Sequence, residues 1–247
     1  MRIIGVYNIK GGVGKTATAV NLSYLTAQAG YRTLIWDLDP QGASSFYFRV
    51  KPKIKGGGKK LVRGKQELDS LVKGTDYENL DLLPADFSYR HMDLVLEKRN
   101  KPALQLMKLL RPLSHEYDYI FLDCPPSISL VSENVFQAVD GLLVPMIPTT
   151  LSLRTLDQLI AFLDGHKLAH LPLMPFFSMV DRRKRMHLDC LEQLPAKYPG
   201  LLRTCIPYAS EVERMGIRRA PLVDYAPSCR AAKAFAALWD EVELRIR

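Results

Sequence analysis

Near the amino terminus, Lys10, Gly11, Gly12, Val13, Gly14, Lys15 and Thr16 follow an apolar run, Arg2 to Tyr7, and open a helical pattern, Lys15 to Gln28. That order suits a loop that wraps phosphate. Glycines let backbone N–H groups turn inward without Cβ clashes, and the positive end of the following helix dipole favours a polyanion. In such a loop Lys15 reaches the β and γ phosphates of a nucleotide, and the Thr16 hydroxyl is placed to ligate magnesium. Lys10 sits at the loop tip, where Lys15 and the backbone already occupy the near side, so a second molecule's phosphate is its natural target. Two carboxylates two positions apart, Asp37 and Asp39, end a second apolar run, and strand alternation points both the same way. A carboxylate beside magnesium can hold metal-bound water, and one beside a γ-phosphate can orient the attacking water. A third run, Tyr119 to Asp123, also ends in an acid, before Cys124, Pro125, Pro126 and Ser127.

Elements that would position these residues are visible as alternating patterns. β-Branched runs predict strands near Arg2 to Tyr7, Thr33 to Asp37, Leu80 to Leu83, Tyr119 to Asp123, Gly141 to Ile147, Leu173 to Val180 and Leu202 to Ile206. Longer periodic stretches predict helices at Lys15 to Gln28, Leu104 to Leu110, Leu153 to Leu163 and Cys229 to Ile246. Strand and helix in alternation give an α/β fold, a mostly parallel twisted sheet flanked by helices on both faces. Residues 1–247 form one expected domain, interrupted at about 49–65 by a basic Gly/Lys-rich segment that reads as a flexible loop.

A generic phosphate loop carries glycine five residues before the Gly-Lys pair, and here that position is Ile9. The string Lys-Gly-Gly-Val-Gly-Lys-Thr instead resembles the deviant Walker A of the ParA/MinD superfamily of P-loop ATPases, closest to the ParA-type partition ATPases, in which Lys10 is the additional lysine. The resemblance covers most of the chain, through an Asp-x-Asp-Pro-Gln switch at Asp37 to Gln41 and a Walker B-like strand ending at Asp123. It implies two subunits facing each other with ATP between them, each Lys10 reaching across. Lys10, Lys15 and Asp39 are then the catalytic residues, and Thr16, Asp37 and Asp123 surround Mg2+. Lys10, Gly11, Gly12, Val13, Gly14, Lys15, Thr16 and Ala17 contact ATP. Asp181, in a loop after a late strand, and Pro207 are placed at adenine. Ala17 stands where many members have a threonine, and Tyr208 to Glu211 depart from the usual partition pattern.

The net charge of +8 is concentrated between Arg49 and Lys65, which holds eight cations and no acid. A polyanion partner follows from such a cluster, nucleic acid or an acidic membrane surface. Later cations include Arg183, Arg218, Arg219, Arg230 and Lys233, and the resemblance implies nonspecific DNA binding through late basic residues of a dimer. It also implies weak ATP hydrolysis stimulated by a ParB-like or other cargo adaptor, a cytoplasmic and nucleoid-associated location, and plasmid, chromosome or protein cargo. A MinD-like membrane cycle is the alternative, disfavoured because Asp240, Glu241 and Glu243 sit poorly at an anionic surface. Four scattered cysteines predict reduced thiols, not a cluster. Amide synthases of the same ancestry are disfavoured by the expectation that they carry a further glutaminase domain.

Overall fold

The computed structural model describes residues 1–64 and 67–246. Seven strands form a single sheet: β1 (Arg2–Val6), β2 (Thr33–Asp37), β3 (Lys73–Gly74), β4 (Leu80–Leu83), β5 (Tyr119–Asp123), β6 (Gly141–Met146) and β7 (Leu173–Phe177). Their spatial order is β3-β4-β2-β5-β1-β6-β7, and only the short β3, which pairs with β4, runs antiparallel. The helices are α1 (Lys15–Gln28), α2 (Ala43–Tyr47), α3 (Gly57–Val62), α4 (Met92–Leu96), α5 (Gln105–Leu110), α6 (Leu130–Ala138), α7 (Thr150–Gly165), α8 (Arg185–Lys197), α9 (Ser210–Glu213), α10 (Met215–Arg218), α11 (Leu222–Tyr225) and α12 (Arg230–Ile246).

Strands buried on both faces need continuous apolar sequence, and β2 and β5 are buried at every position. Two cores result. On one face α3 to α7 cover Leu34, Trp36, Ile120 and Leu122. On the other, α1, α11 and α12 cover Ile4, Val6, Ile35 and Phe121, with the Trp239 ring edge-on to Tyr119 at 5.3 Å. Each large side chain so buried contributes about 1.5–3 kcal/mol. Register then fixes the site: Asp123 pairs with Asp37 on one side and with Val6 on the other. Both strand-end acids therefore stand at one level, beside the loop that leaves β1.

Three sequence expectations need correction. Leu202 to Ile206 is no strand; the isolated bridge nearby, Val180 to Pro207, lies just beyond it. Leu202 and Ile206 donate their N–H groups to the Pro175 and Phe177 carbonyls, but Arg203 and Thr204 donate theirs to the Glu241 carboxylate of α12, at 2.8 and 2.9 Å. That detour bows the segment away from β7. The strand predicted to run to Val180 stops at Phe177, because Met179 takes a left-handed φ of 55°. Finally, the basic segment contains a helix, α3, where a flexible loop was expected. Ile54, Leu61 and Val62 are buried, the Gly58 N–H donates to Ser88 Oγ at 2.8 Å, and a Cβ on Gly58 would lie 2.9 Å from the Tyr89 ring. Lys65 of the cluster lies outside the described residues.

Candidate active site

The loop after β1 is anchored before it turns. The buried Asn8 amide donates to the Pro145 carbonyl of β6 at 2.8 Å, and its Oδ1 accepts the Lys10 N–H at 2.9 Å. Gly12 and Gly14 adopt φ of 70° and 94°, conformations that strain any residue with a Cβ. Gly14 also packs so close to Ser178 Oγ that a Cβ would lie 2.9 Å away, whereas nothing approaches Gly11 or Gly12 within 4 Å. The loop is thus pinned behind and open in front. α1 begins at Lys15, so the positive end of a 14-residue helix points into that opening.

Lys15 is buried, and its ammonium donates to the Lys10 carbonyl at 3.1 Å. Burial pulls its pKa down while the charges of Asp123 and Asp39 oppose that fall. The two strand-end acids are fully buried and half satisfied. Ser44 Oγ donates to Asp123 Oδ2 at 2.7 Å, and the Ser45 N–H and Oγ donate to Asp37 Oδ2 at 2.8 and 2.7 Å. The remaining oxygen of each, Asp37 Oδ1 and Asp123 Oδ1, is buried with no hydrogen-bond partner. Both carboxyls are pushed up by burial, Asp37 further by the charge of Asp123. Leaving such an atom unpaired costs about 1–3 kcal/mol or more, which a cation would offset.

The donor set suits magnesium. Among the described residues no group of three or more His, Cys, Asp or Glu converges as a metal cage. Magnesium characteristically takes one or two protein oxygens and fills its octahedron with water and nucleotide phosphate. Thr16 lies beside Asp123, its hydroxyl favouring the charged carboxylate. Two oriented acids, one hydroxyl and an open phosphate loop fit that ion better than a closed site would.

Asp39 occupies the turn into α2, half-buried, with Oδ1 accepting the Gln41 N–H at 2.9 Å. It differs from the wholly buried Asp37, yet its charge acts on Lys15, Asp37 and Asp123. A half-exposed carboxylate in this turn can orient a water that enters from solvent. Cys124 is a buried thiol pushed well up by burial, with Sγ near the Leu122 carbonyl at 3.4 Å, which makes it inert packing.

Beside the loop a slot of about 60 Å³ is lined by Gly14, Ala17, Met179, Pro207, Ala209 and Phe235. Pro207 therefore stands next to the phosphate loop. Asp181 does not line this slot; with Pro207 it borders an adjoining cavity of about 510 Å³. There the Arg183 guanidinium grips it through two 2.9 Å contacts and holds its carboxyl well below the usual range. Arg183 and Arg230 line that same cavity, and Lys233 is exposed one turn further along α12. Arg219 lies elsewhere: its Nε donates to the Phe46 carbonyl of α2 at 3.2 Å, and its guanidinium stacks 4.7 Å from the Phe46 ring. The exposed Arg218 precedes it on α10. The late cations thus form two patches, not one. Sequence reasoning missed Asn8, Ser44, Ser45 and Met179; of these only Met179 carried no local sign, since Asn and Ser at strand-to-helix turns are common backbone and carboxylate partners.

The AAA domain family model matches residues 1–170. The sporulation initiation inhibitor protein Soj of Bacillus subtilis is 29% identical, covering 98% of each chain. The McdA–ATP complex of Cyanothece shares the fold with a TM-score of 0.85 at 21% identity, over 98% of this chain and 96% of that one. Cobyrinic acid a,c-diamide synthase from Mycobacterium smegmatis, solved with bound ADP and magnesium, superposes with a TM-score of 0.82 at 25% identity, over 98% and 94%. A chain of that description is spanned almost end to end, so the expectation of a further glutaminase domain does not set it apart from this chain. A family match across more than half of the chain, on a sheet that carries the phosphate loop and both strand-end acids, makes this protein a member of the AAA domain family and of the ParA/MinD superfamily of P-loop ATPases.

Proposed function

We propose that the chain is a ParA-like positioning ATPase whose ATP-bound form pairs with a second copy, holds DNA without reading sequence, and is reset by hydrolysis. The observation that carries this reading is the pair of buried acids with unsatisfied oxygens beside an open phosphate loop. Bound there, magnesium would neutralise phosphate charge and hold ordered water. The chain's own groups do the rest. The α1 amino end and the N–H groups of Gly11 to Ala17 cradle phosphate, Lys15 exchanges its carbonyl contact for the β and γ oxygens, and Thr16, Asp37 and Asp123 hold the metal. Asp39 orients the attacking water, and the base lies at Pro207, between the apolar slot and the adjoining cavity that Asp181 lines.

Lys10 is assigned to the neighbouring subunit's terminal phosphate. Its ammonium has no carboxylate partner among the described residues, and its carbonyl is engaged by Lys15. ADP offers no γ oxygen for it to reach, so the paired state is favoured only with ATP. Pairing doubles a basic surface built from Arg183, Arg218, Arg219, Arg230 and Lys233, and avidity turns a weak contact into a firm one. A cargo adaptor, ParB-like or otherwise, would stimulate turnover and release. The membrane-cycling alternative is disfavoured by α12, whose apolar face, Phe235, Leu238, Trp239 and Val242, is spent on the core. No described helix is long and apolar enough to cross a membrane.

The test is nonspecific duplex binding, followed by fluorescence anisotropy with Mg2+ and either ATP or ADP. Binding is expected to be at least about tenfold tighter with ATP and to weaken steeply with salt. Asp39→Ala should bind DNA in ATP and stay bound, because it fails to reset. ATP turnover stimulated by a carboxylate acceptor and ammonia, with no effect of DNA, would favour amide-forming chemistry instead.

A further inference from the structure

A second concentration of positive charge lies on the opposite face of the sheet. α3 and α4 pack Leu61, Val62, Met92 and Leu96 into the layer over Trp36, whereas α12 packs into the layer over Phe121. Between α3 and α4 is a cavity of about 420 Å³ lined by Lys59, Arg63, His91, Lys98 and Arg99, with Leu94 and Val95 completing its wall. Among the described residues none of these four lysines and arginines has an ion-pair partner. Neighbouring acids are otherwise engaged: Asp86 accepts the Ile54 N–H at 3.0 Å and Asp93 accepts the Val131 N–H at 2.9 Å. Glu97, which follows α4, does not line the cavity.

Four cations that line one cavity without an ion-pair partner repel one another, and an anion relieves that repulsion. Exposed Lys53, Lys55 and Lys60 belong to the same basic segment as α3, and exposed Lys101 follows α4 by a few residues. A compact ligand would use only part of this charge. A chain of evenly spaced phosphates would use all of it, and flexible lysine and arginine side chains neutralise phosphate without reading bases.

We propose that the α3–α4 cavity is a separate site for the phosphate backbone of duplex DNA, on the face opposite Arg230 and Lys233. No residue of the phosphate loop or of Asp37 to Asp39 lines it, and it is complete in one chain. It shares its DNA partner with the proposed function but rests on neither ATP nor pairing. Two consequences follow: the nucleotide-free protein keeps a weak hold on DNA, and one molecule can touch two duplex segments.

The test measures anisotropy of a labelled nonspecific duplex with the full chain, without nucleotide, over a range of salt. Replacing Lys59, Arg63, Lys98 and Arg99 together by alanine should weaken binding at least about tenfold at low salt and flatten the log–log salt slope by about 3–4 units. Arg63→Lys with Arg99→Lys in the otherwise unchanged chain should bind as the wild type does, since charge and not fork geometry is required. Arg230→Ala with Lys233→Ala should weaken nucleotide-free binding much less than the fourfold change does, and should lower the gain from ATP without abolishing it. The proposal is overturned if the fourfold variant binds as the wild type does, if the α12 pair abolishes nucleotide-free binding, or if equimolar pyrophosphate or phosphatidylglycerol vesicles displace the duplex completely. A wild type that shows no gain with ATP would sink the nucleotide switch while leaving this site standing.

Discussion

At the carboxyl ends of β1, β2 and β5, polar groups are buried and committed; on α3, α4, α10 and α12, charges stand in water. The first region is held by short contacts to fixed atoms: Asn8 to the Pro145 carbonyl, Ser44 to Asp123, Ser45 to Asp37. The second has long side chains with few partners. Reaction chemistry needs atoms placed to a fraction of an ångström in a low dielectric, whereas holding a polyanion needs only charge density. The same chain therefore carries one region sensitive to single atoms and one that responds to the sum of its charges.

The comparison predicts effects of very different size. Lys15→Ala should weaken ATP binding, measured by calorimetry, about 100-fold or more, because a buried charge-assisted contact to phosphate is lost. Retention within about threefold would mean that the buried region is not the phosphate site.

Asp37→Asn probes the strain stored there. Its folded-state pKa is raised, so above the ordinary carboxylate range the folded chain keeps a proton that the unfolded chain has lost. Stability conferred by that proton is full at acid pH and falls as pH rises toward the folded-state value. Without magnesium or nucleotide, the variant should melt about 2–4 °C above the wild type at pH 8 and within about 1 °C of it at pH 4.5. A variant less stable at pH 8 would contradict a strained acid pair.

Effects on the exposed side should be small and additive. Arg230→Ala should flatten the salt slope of ATP-dependent DNA binding by about one unit. Arg219→Ala should flatten it less, because its guanidinium already engages the Phe46 carbonyl and ring. Equal slopes would show that this contact opens on DNA and that α2, which also carries Ser44 and Ser45, moves with it.

The two regions differ just as much in how well they can be read from sequence. Lys10 to Thr16, Asp37 to Gln41 and Tyr119 to Asp123 are contiguous, and their chemistry fixes their spacing, so order along the chain disclosed the phosphate end of the sheet. Ser44 carried a local sign but not its partner, because only the pairing of β2 with β5 brings Asp123 to it, whereas Ser45 binds Asp37 eight residues earlier. Leu202 to Ile206 has the composition of a strand, but a carboxylate almost forty residues away claims two of its N–H groups. Gly57 and Gly58 look like loop residues until Tyr89 is seen filling the space that a side chain at Gly58 would need. Surface cations were visible as a total, but their division among α3–α4, α10 and α12 is a product of tertiary packing.

In the proposed cycle Lys10 joins the two regions, carrying the state of the nucleotide to the surface that another copy would meet. Sedimentation velocity of the wild type and of Lys10→Ala, each with Mg2+ and a non-hydrolysable ATP analogue, addresses this directly. The wild type should sediment as a dimer with the analogue and as a monomer with ADP, and the variant should bind the analogue yet remain a monomer. A variant that dimerises as well as the wild type, or a loaded wild type that stays single, would contradict the account.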